Sequence, residues 1–362
     1  MERNFSKTKN YSMLDIESLL VKMVSFPSLS EQEKPIVDWL ESYVRDTNLL
    51  EIERFENNIL FHLGNGSNWL LLNSHTDVVP PSPDHSGEPF EPHYEGGKIY
   101  GRGTTDAKGC GSSMLTALLE LAEEGYNPDG RVSLALTVCE EASGFNNGMA
   151  FLRTKIDKPD AAIVGEPTSL APCIAQKGLL ILKLISNGDS GHAARVSTNN
   201  AIYNIADILE KLQFCSFGAE NNFLGKVKIT PTKINGGTAN NMAPEQVVVI
   251  LDIRTIPEVP NDLIINTIKK ETGAEIEIIS DRYIATGTNP QEPIAQSALL
   301  ASKQNQFGSP TSSDWVFLHD IPTVKMGPGH SQMSHKRDEY IEVDQLHKGV
   351  KLYKETIKHY FS

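Results

Sequence analysis

Hydrophobic positions in the N-terminal half of the chain alternate between a helical and an extended rhythm. Ser30-x-x-Glu33 precedes Ile36, Val37, Leu40 and Val44 at helical spacing, which predicts a helix opened by a capping box. Short strands are expected at Glu51–Phe55, Ile59–Leu63 and Trp69–Leu72. Met114, Leu115, Leu118, Leu119 and Ala122 mark Gly111–Glu124 as a helix, with Gly125 as its stop. Val132–Val138 and Ala161–Val164 read as short buried strands. Near-continuous apolar strands alternating with helices predict an α/β domain with a mostly parallel sheet and flanking helices.

The rhythm changes after Pro172. Leu179–Ile185 reads as a strand, Asn200–Leu212 as a helix, and Lys226–Ile234 and Val247–Ile253 as strands. Asp262–Lys270 then reads as a helix and Glu275–Ile279 as a strand. That order is β-α-β-β-α-β, a ferredoxin-like α+β unit of small-domain size. Ile294–Gln304, Thr323–Met326 and the amphipathic Val343–His359 resume the first pattern. The expected organisation is a domain over residues 1–174 and 285–362, interrupted by an inserted domain over 175–284.

Composition narrows the setting. The 362 residues include 46 acidic and 33 basic side chains, a net charge of −13. Such a balance argues against nucleic acid or an anionic membrane as partner, because either needs clustered cations. No apolar run reaches the length of a membrane span. Met1–Asp15 is polar and lacks the apolar stretch of a secretory signal. Cys110, Cys139, Cys173 and Cys215 are scattered without disulfide or metal spacing, so reduced thiols in a cytoplasmic protein are the expectation.

Candidate chemistry gathers where the expected strands end. Trp69–Leu72 runs into Ser74-His75-Thr76-Asp77, and residues two apart in extended chain share a face. A carboxylate there can fix the imidazole tautomer that presents its other nitrogen to a metal, although an ordinary His–Asp hydrogen bond would look the same. Gly101-Arg102-Gly103-Thr104-Thr105-Asp106-Ala107-Lys108-Gly109 precedes a helix. It lacks the Walker pattern, and Asp106 at its centre would repel phosphate, so a cation ligand is the better reading. Val132–Val138 delivers Glu140-Glu141, whose adjacent side chains diverge and can divide metal binding from proton handling. Glu166 follows another apolar strand, and ligands bind at the C-terminal ends of parallel strands. Each acid alone could be a solvated loop residue; several strand ends bearing such groups point to one rim. Gly327–His335 offers His330 or His335 as a further ligand, and sequence mechanics do not decide between them.

Together these motifs resemble the M20 family of zinc aminoacylases and peptidases. The resemblance rests on His75-x-Asp77-x-Val79-Pro80, Gly101–Gly109, Glu140-Glu141 and Gly165-Glu166-Pro167. It extends through Gly236-Gly237-x-x-x-Asn241-x-x-Pro244, Asp252-x-Arg254 and Ser334-His335-x-x-Asp338-Glu339. It implies a zinc-peptidase-like catalytic domain with a ferredoxin-like lid and dimerisation domain, and two Zn2+ ions for which Co2+ can substitute. Asp106 would bridge the metals, with His75 and Glu166 on one and Glu141 and His335 on the other. Glu140 would serve as general base and acid, and Asp77 would orient His75. His192 would be a lid histidine reaching a partner subunit's site, and Asn241 and Arg254 would be contacts for the substrate carboxylate. A cis peptide after Asp106 is also implied. Two departures stand out: Cys139 before the Glu pair, and His85 after Pro80.

Within that family, Thr311-Ser312-Ser313-Asp314-Trp315 and Lys325–Tyr340 resemble the acetylornithine deacetylase branch. The implied reaction is removal of an acetyl or succinyl group from a small N-acyl amino acid, such as N-acetylornithine or an N-acylcitrulline, in arginine biosynthesis. Succinyl-diaminopimelate desuccinylase is the alternative, followed by a dipeptidase or general aminoacylase. A non-catalytic binding protein of the same fold is the reading from another class.

Overall fold

The structure, a computed structural model, describes residues 13–142, 146–195 and 198–362; most of the polar stretch Met1–Asp15 lies outside them. The chain divides into two compact units. The larger comprises Met1–Ile174, Thr288–Gln306 and Ser313–Ser362. Its main sheet includes β1 (Glu51–Phe55), β2 (Asn58–Gly64), β3 (Trp69–His75), β4 (Arg131–Thr137), β5 (Ala161–Val164) and β6 (Thr323–Lys325). They run in the order β1-β2-β4-β3-β5-β6. β1–β2 and β2–β4 pair antiparallel, while β4–β3, β3–β5 and β5–β6 pair parallel. Every residue of β3 and β5 is buried, which explains why both read as continuous rather than alternating apolar runs.

The longer helices of this unit are α1 (Ile16–Val24), α2 (Lys34–Thr47), α3 (Lys108–Glu123), α4 (Pro293–Ser302) and α5 (Val343–Tyr360). The C-terminal α5 packs on α3 and α4. Leu70, Leu72, Leu134, Leu136 and Ile163 from the sheet and Met114, Leu118 and Tyr353 from the helices share one core. α3 starts a turn earlier than its sequence suggests, so Lys108 is a buried helical residue whose ammonium donates to the Phe26 carbonyl at 2.9 Å.

The expected capping box is corrected by the structure. Glu33 stands at the N-cap of α2 without a side-chain cap bond. Ser30 Oγ donates instead to Asp77 at 2.7 Å, and the Glu33 carboxylate accepts the Cys139 N–H at 3.0 Å. Both side chains turn toward distant residues because those donors and acceptors are buried and need partners more than an exposed helix end does.

The smaller unit comprises Ala175–Gly287 and Phe307–Ser312. Its sheet runs Lys228–Gly236, Gln246–Thr255, Gly178–Asn187, Glu275–Tyr283, all antiparallel. This is the order of a ferredoxin-like unit. Helices Ala201–Leu212 and Asn261–Thr272 pack against it around Leu182, Leu184, Val249, Leu251, Ile205 and Ile264. The Phe307–Ser312 segment, read from sequence as part of the larger domain, belongs here. Lys177 N–H donates to the Ser309 carbonyl at 3.0 Å, and Ser312 Oγ to the Lys177 carbonyl at 2.9 Å.

Candidate metal centre

The rim is built by strand polarity. β4, β3 and β5 are parallel neighbours, so Glu140-Glu141, His75 and Glu166 emerge at the same end of the sheet. Asp106 comes from the glycine-rich loop before α3, and its peptide bond to Ala107 is cis. His335 comes from the segment between β6 and α5, in a left-handed conformation with φ 62°.

These residues meet as ligand-sized groups. His75, Asp106 and Glu166 form one, and Asp106, Glu141 and His335 form a second that shares Asp106. In each, the donor atoms lie within 4.8 Å of one another. A third grouping joins His75, Glu140 and Glu141. His75 Nε2 is 3.3 Å from Asp106, and His335 Nε2 is 2.9 Å from the Glu141 carboxylate and 3.6 Å from Asp106.

Asp77 does more than face His75. His75 Nδ1 lies 2.9 Å from the Asp77 carbonyl oxygen and 3.4 Å from its carboxylate. The carboxylate itself is fully buried and accepts the backbone N–H of Glu140 and of Glu141, each at 3.0 Å. One residue therefore fixes the imidazole tautomer and the turn that carries both glutamates.

Burial, reinforced by the charge of Asp106, pushes Glu166 up to about 8. Burial also raises Glu140 well above the usual carboxylate range, with Glu166 adding to the effect. For His75, burial opposes the charged form, but Asp106, Asp77 and Glu140 outweigh it and hold the imidazole high. Burial raises the donor carboxylates Glu166 and Glu141, which a divalent ion would favour in ionised form, while Asp106, despite its burial, is held low by His75. The mixed imidazole and carboxylate donors fit zinc, cobalt or manganese.

His330 belongs elsewhere. Its Nδ1 lies 2.8 Å from Ser169 Oγ and its Nε2 lies 2.8 Å from Gln345 Nε2, which can only donate. Both ring nitrogens are thus engaged outside the donor groups. In the smaller unit, the short ladder Gly191–His192 with Met242–Ala243 brings His192 beside Asn241, whose carbonyl accepts the Ala193 N–H at 2.9 Å. Arg254 is gripped by Asp252 through two hydrogen bonds of 2.8 and 3.1 Å. Sequence reading did not pick out Asp314 as a site residue. It is buried, accepts from Asn147 Nδ2 at 2.7 Å and Thr137 Oγ1 at 3.2 Å, and so holds both stems of the glutamate loop. Its buried position in an otherwise polar Thr-Ser-Ser-Asp run left no local signal.

Residues 71–359 match the family described as Peptidase family M20/M25/M40. The chain belongs to the M20 family. M20 relatives include a succinyl-diaminopimelate desuccinylase of Wolbachia pipientis wMel, 25% identical over 96% of this chain and 94% of the relative. A succinyl-diaminopimelate desuccinylase of Ehrlichia chaffeensis is 28% identical over 96% of this chain and 99% of the relative. Among solved structures, the aminopeptidase PepT of Bacillus cereus superposes with a TM-score of 0.77 at 19% identity, covering 97% of this chain and 100% of its own. That likeness shows the fold. This M20 protein is a hydrolase acting on amide bonds. Among the described residues no helix is long and apolar enough to cross a membrane.

Proposed function

We propose that this M20 protein removes an N-succinyl group from a small amino acid, with an N-succinyl-diaminopimelate-type compound as its leading substrate. The observation that carries the hydrolytic reading is the pair of donor groups joined at Asp106. The succinyl preference is supported by the desuccinylase relatives. The acetylornithine reading drawn from Thr311–Trp315 and Lys325–Tyr340 has no such support and gives way to it.

In this reading His75 and Glu166 hold one ion, Glu141 and His335 the other, and Asp106 serves both. Bound divalent ions supply Lewis acidity and an acidified water. Zn2+ is the expected metal, with Co2+ able to substitute. Glu140, set apart from the two groups that share Asp106, takes the proton of the attacking water and hands it to the leaving amine. Asp77 keeps Glu140 in place through the backbone and keeps His75 in one tautomer. His192 and Asn241 are proposed as substrate contacts. Arg254 is proposed as a carboxylate contact, with Asp252 orienting its guanidinium. A cytoplasmic homodimer formed through the smaller domain, with His192 acting in the partner's site, completes the reading; light scattering tests the dimer.

The deciding experiment is an assay of zinc- or cobalt-loaded protein across N-succinyl-diaminopimelate, N-acetylornithine, N-acetylcitrulline, N-succinylornithine and N-succinylcitrulline. Preferential turnover of N-succinyl-diaminopimelate is expected. Turnover confined to the acetyl compounds would reverse the acyl assignment, and turnover of none would remove the deacylase reading.

A further inference from the structure

Glu339 lies four residues beyond His335 and is almost wholly buried, with 1% of its surface exposed. Its carboxylate collects four donors. Oε1 accepts the N–H of Thr105 at 2.8 Å and of Asp106 at 2.9 Å. Oε2 accepts the N–H of Gly103 at 2.9 Å and Arg102 Nη1 at 2.8 Å. Its own carbonyl accepts the Gly101 N–H at 3.0 Å, and the next carbonyl, of Tyr340, accepts Thr105 Oγ1 at 2.5 Å. The loop that presents Asp106 is therefore wrapped around one side chain.

An ordinary buried ion pair would be the bland account. Against it, Arg102 offers this carboxylate one of its N–H groups, while its Nε is buried without a partner. A bidentate fork would have brought a second guanidinium nitrogen to the carboxylate, and Nη1 alone reaches it. The carboxylate instead faces the backbone, and three of its four contacts are peptide N–H groups. Its chain position matters equally. Tyr340–Glu342, directly after Glu339, pairs antiparallel with Lys98–Tyr100, directly before the loop carrying Asp106, so that loop and the segment carrying His335 are joined next to Glu339.

We propose that Glu339 is a positioning residue that ties Asp106 and His335 into one unit, so that the second ion, shared by Asp106, Glu141 and His335, depends on it. This rests on the two-ion reading above. The first group keeps His75 and Glu166 on strand ends that Glu339 does not touch. The second draws two of its three ligands from segments that Glu339 joins.

The test titrates metal-free full-length protein with Co2+, by calorimetry and visible absorption, for wild type, Glu339→Gln and Glu339→Asp. Gln places an amide where a carboxylate oxygen met two donors. Asp keeps the charge beside Arg102 but withdraws it by one methylene, which guards against a Gln variant that fails to fold. In each folded variant the second ion is expected to bind about tenfold weaker or more, and the first, which draws only Asp106 from the segments that Glu339 joins, to weaken markedly less. Unchanged binding of both ions, or equal weakening of both, would overturn the proposal. Wild type that takes up no cobalt would remove the metal reading, and the positioning role with it.

Discussion

The carboxylate of Asp77 holds the backbone of Glu140, accepting its N–H at 3.0 Å from a position with no exposed surface. Its other oxygen does the same for Glu141. Replacing Asp77 by Asn keeps one acceptor oxygen and puts an NH2 group against a peptide donor. The expected result is a kcat lower by roughly ten- to a hundredfold, the usual cost of disturbing a residue behind a metal ligand. Steady-state kinetics on metal-loaded protein checks this. An unimpaired variant would show that neither glutamate needs the Asp77 grip.

Glu140→Gln separates proton transfer from metal binding. The amide cannot accept a proton, so kcat should fall by about 10²–10⁴-fold. Cobalt uptake through the groups that share Asp106 should persist. Loss of metal together with activity would instead favour the grouping of His75, Glu140 and Glu141 as a true site.

Dialysis against a chelator should abolish turnover and lower the melting temperature. Added Zn2+ or Co2+ should restore both. An ion present at a hundred times its Kd stabilises the fold by about 2.7 kcal/mol, so calorimetry of stripped and reloaded protein reads the same equilibrium independently. Full activity in the stripped protein would contradict the metal requirement.

Ser30→Ala tests whether this hydroxyl serves a helix or the site. A lost N-cap would cost α2 about 1 kcal/mol and leave kinetics untouched. Because Ser30 donates to the buried Asp77 carboxylate, the expectation is a several-fold fall in kcat beside a stability loss of about 1–3 kcal/mol, and the fall in kcat is the readout that a lost cap would not move.

Gly103 has φ 85°, and a Cβ there would stand 2.5 Å from Val78 Cγ1. Gly103→Ala should therefore cost about 1–3 kcal/mol in denaturant unfolding. Gly87 is the control: its φ of 81° is similar, but nothing lies within 4 Å of its Cβ position. Gly87→Ala should cost less, since only backbone strain is added.

Much of the fold was legible because its signals are local. Ala161–Val164 is observed with the bounds its apolar run predicted, and the helix read over Asn200–Leu212 is observed as Ala201–Leu212, with Asn200 as its N-cap accepting the Ile202 N–H. The missed turn at the start of α3 has a tertiary cause. Lys108, Gly109 and Cys110 look like loop residues in isolation, yet the packed interior buries all three.

By itself, the sequence determined which strands are buried and which acids and imidazoles stand at their ends. Strand alternation and helical spacing are properties of consecutive residues, so a single chain displays them. Only the tertiary structure decided where the remaining side chains turn. Ser30 reaches Asp77, Glu33 reaches Cys139, and Glu339 gathers the loop before α3. Those choices depend on which buried donors and acceptors meet across long stretches of chain, and burial makes leaving one unpaired costly.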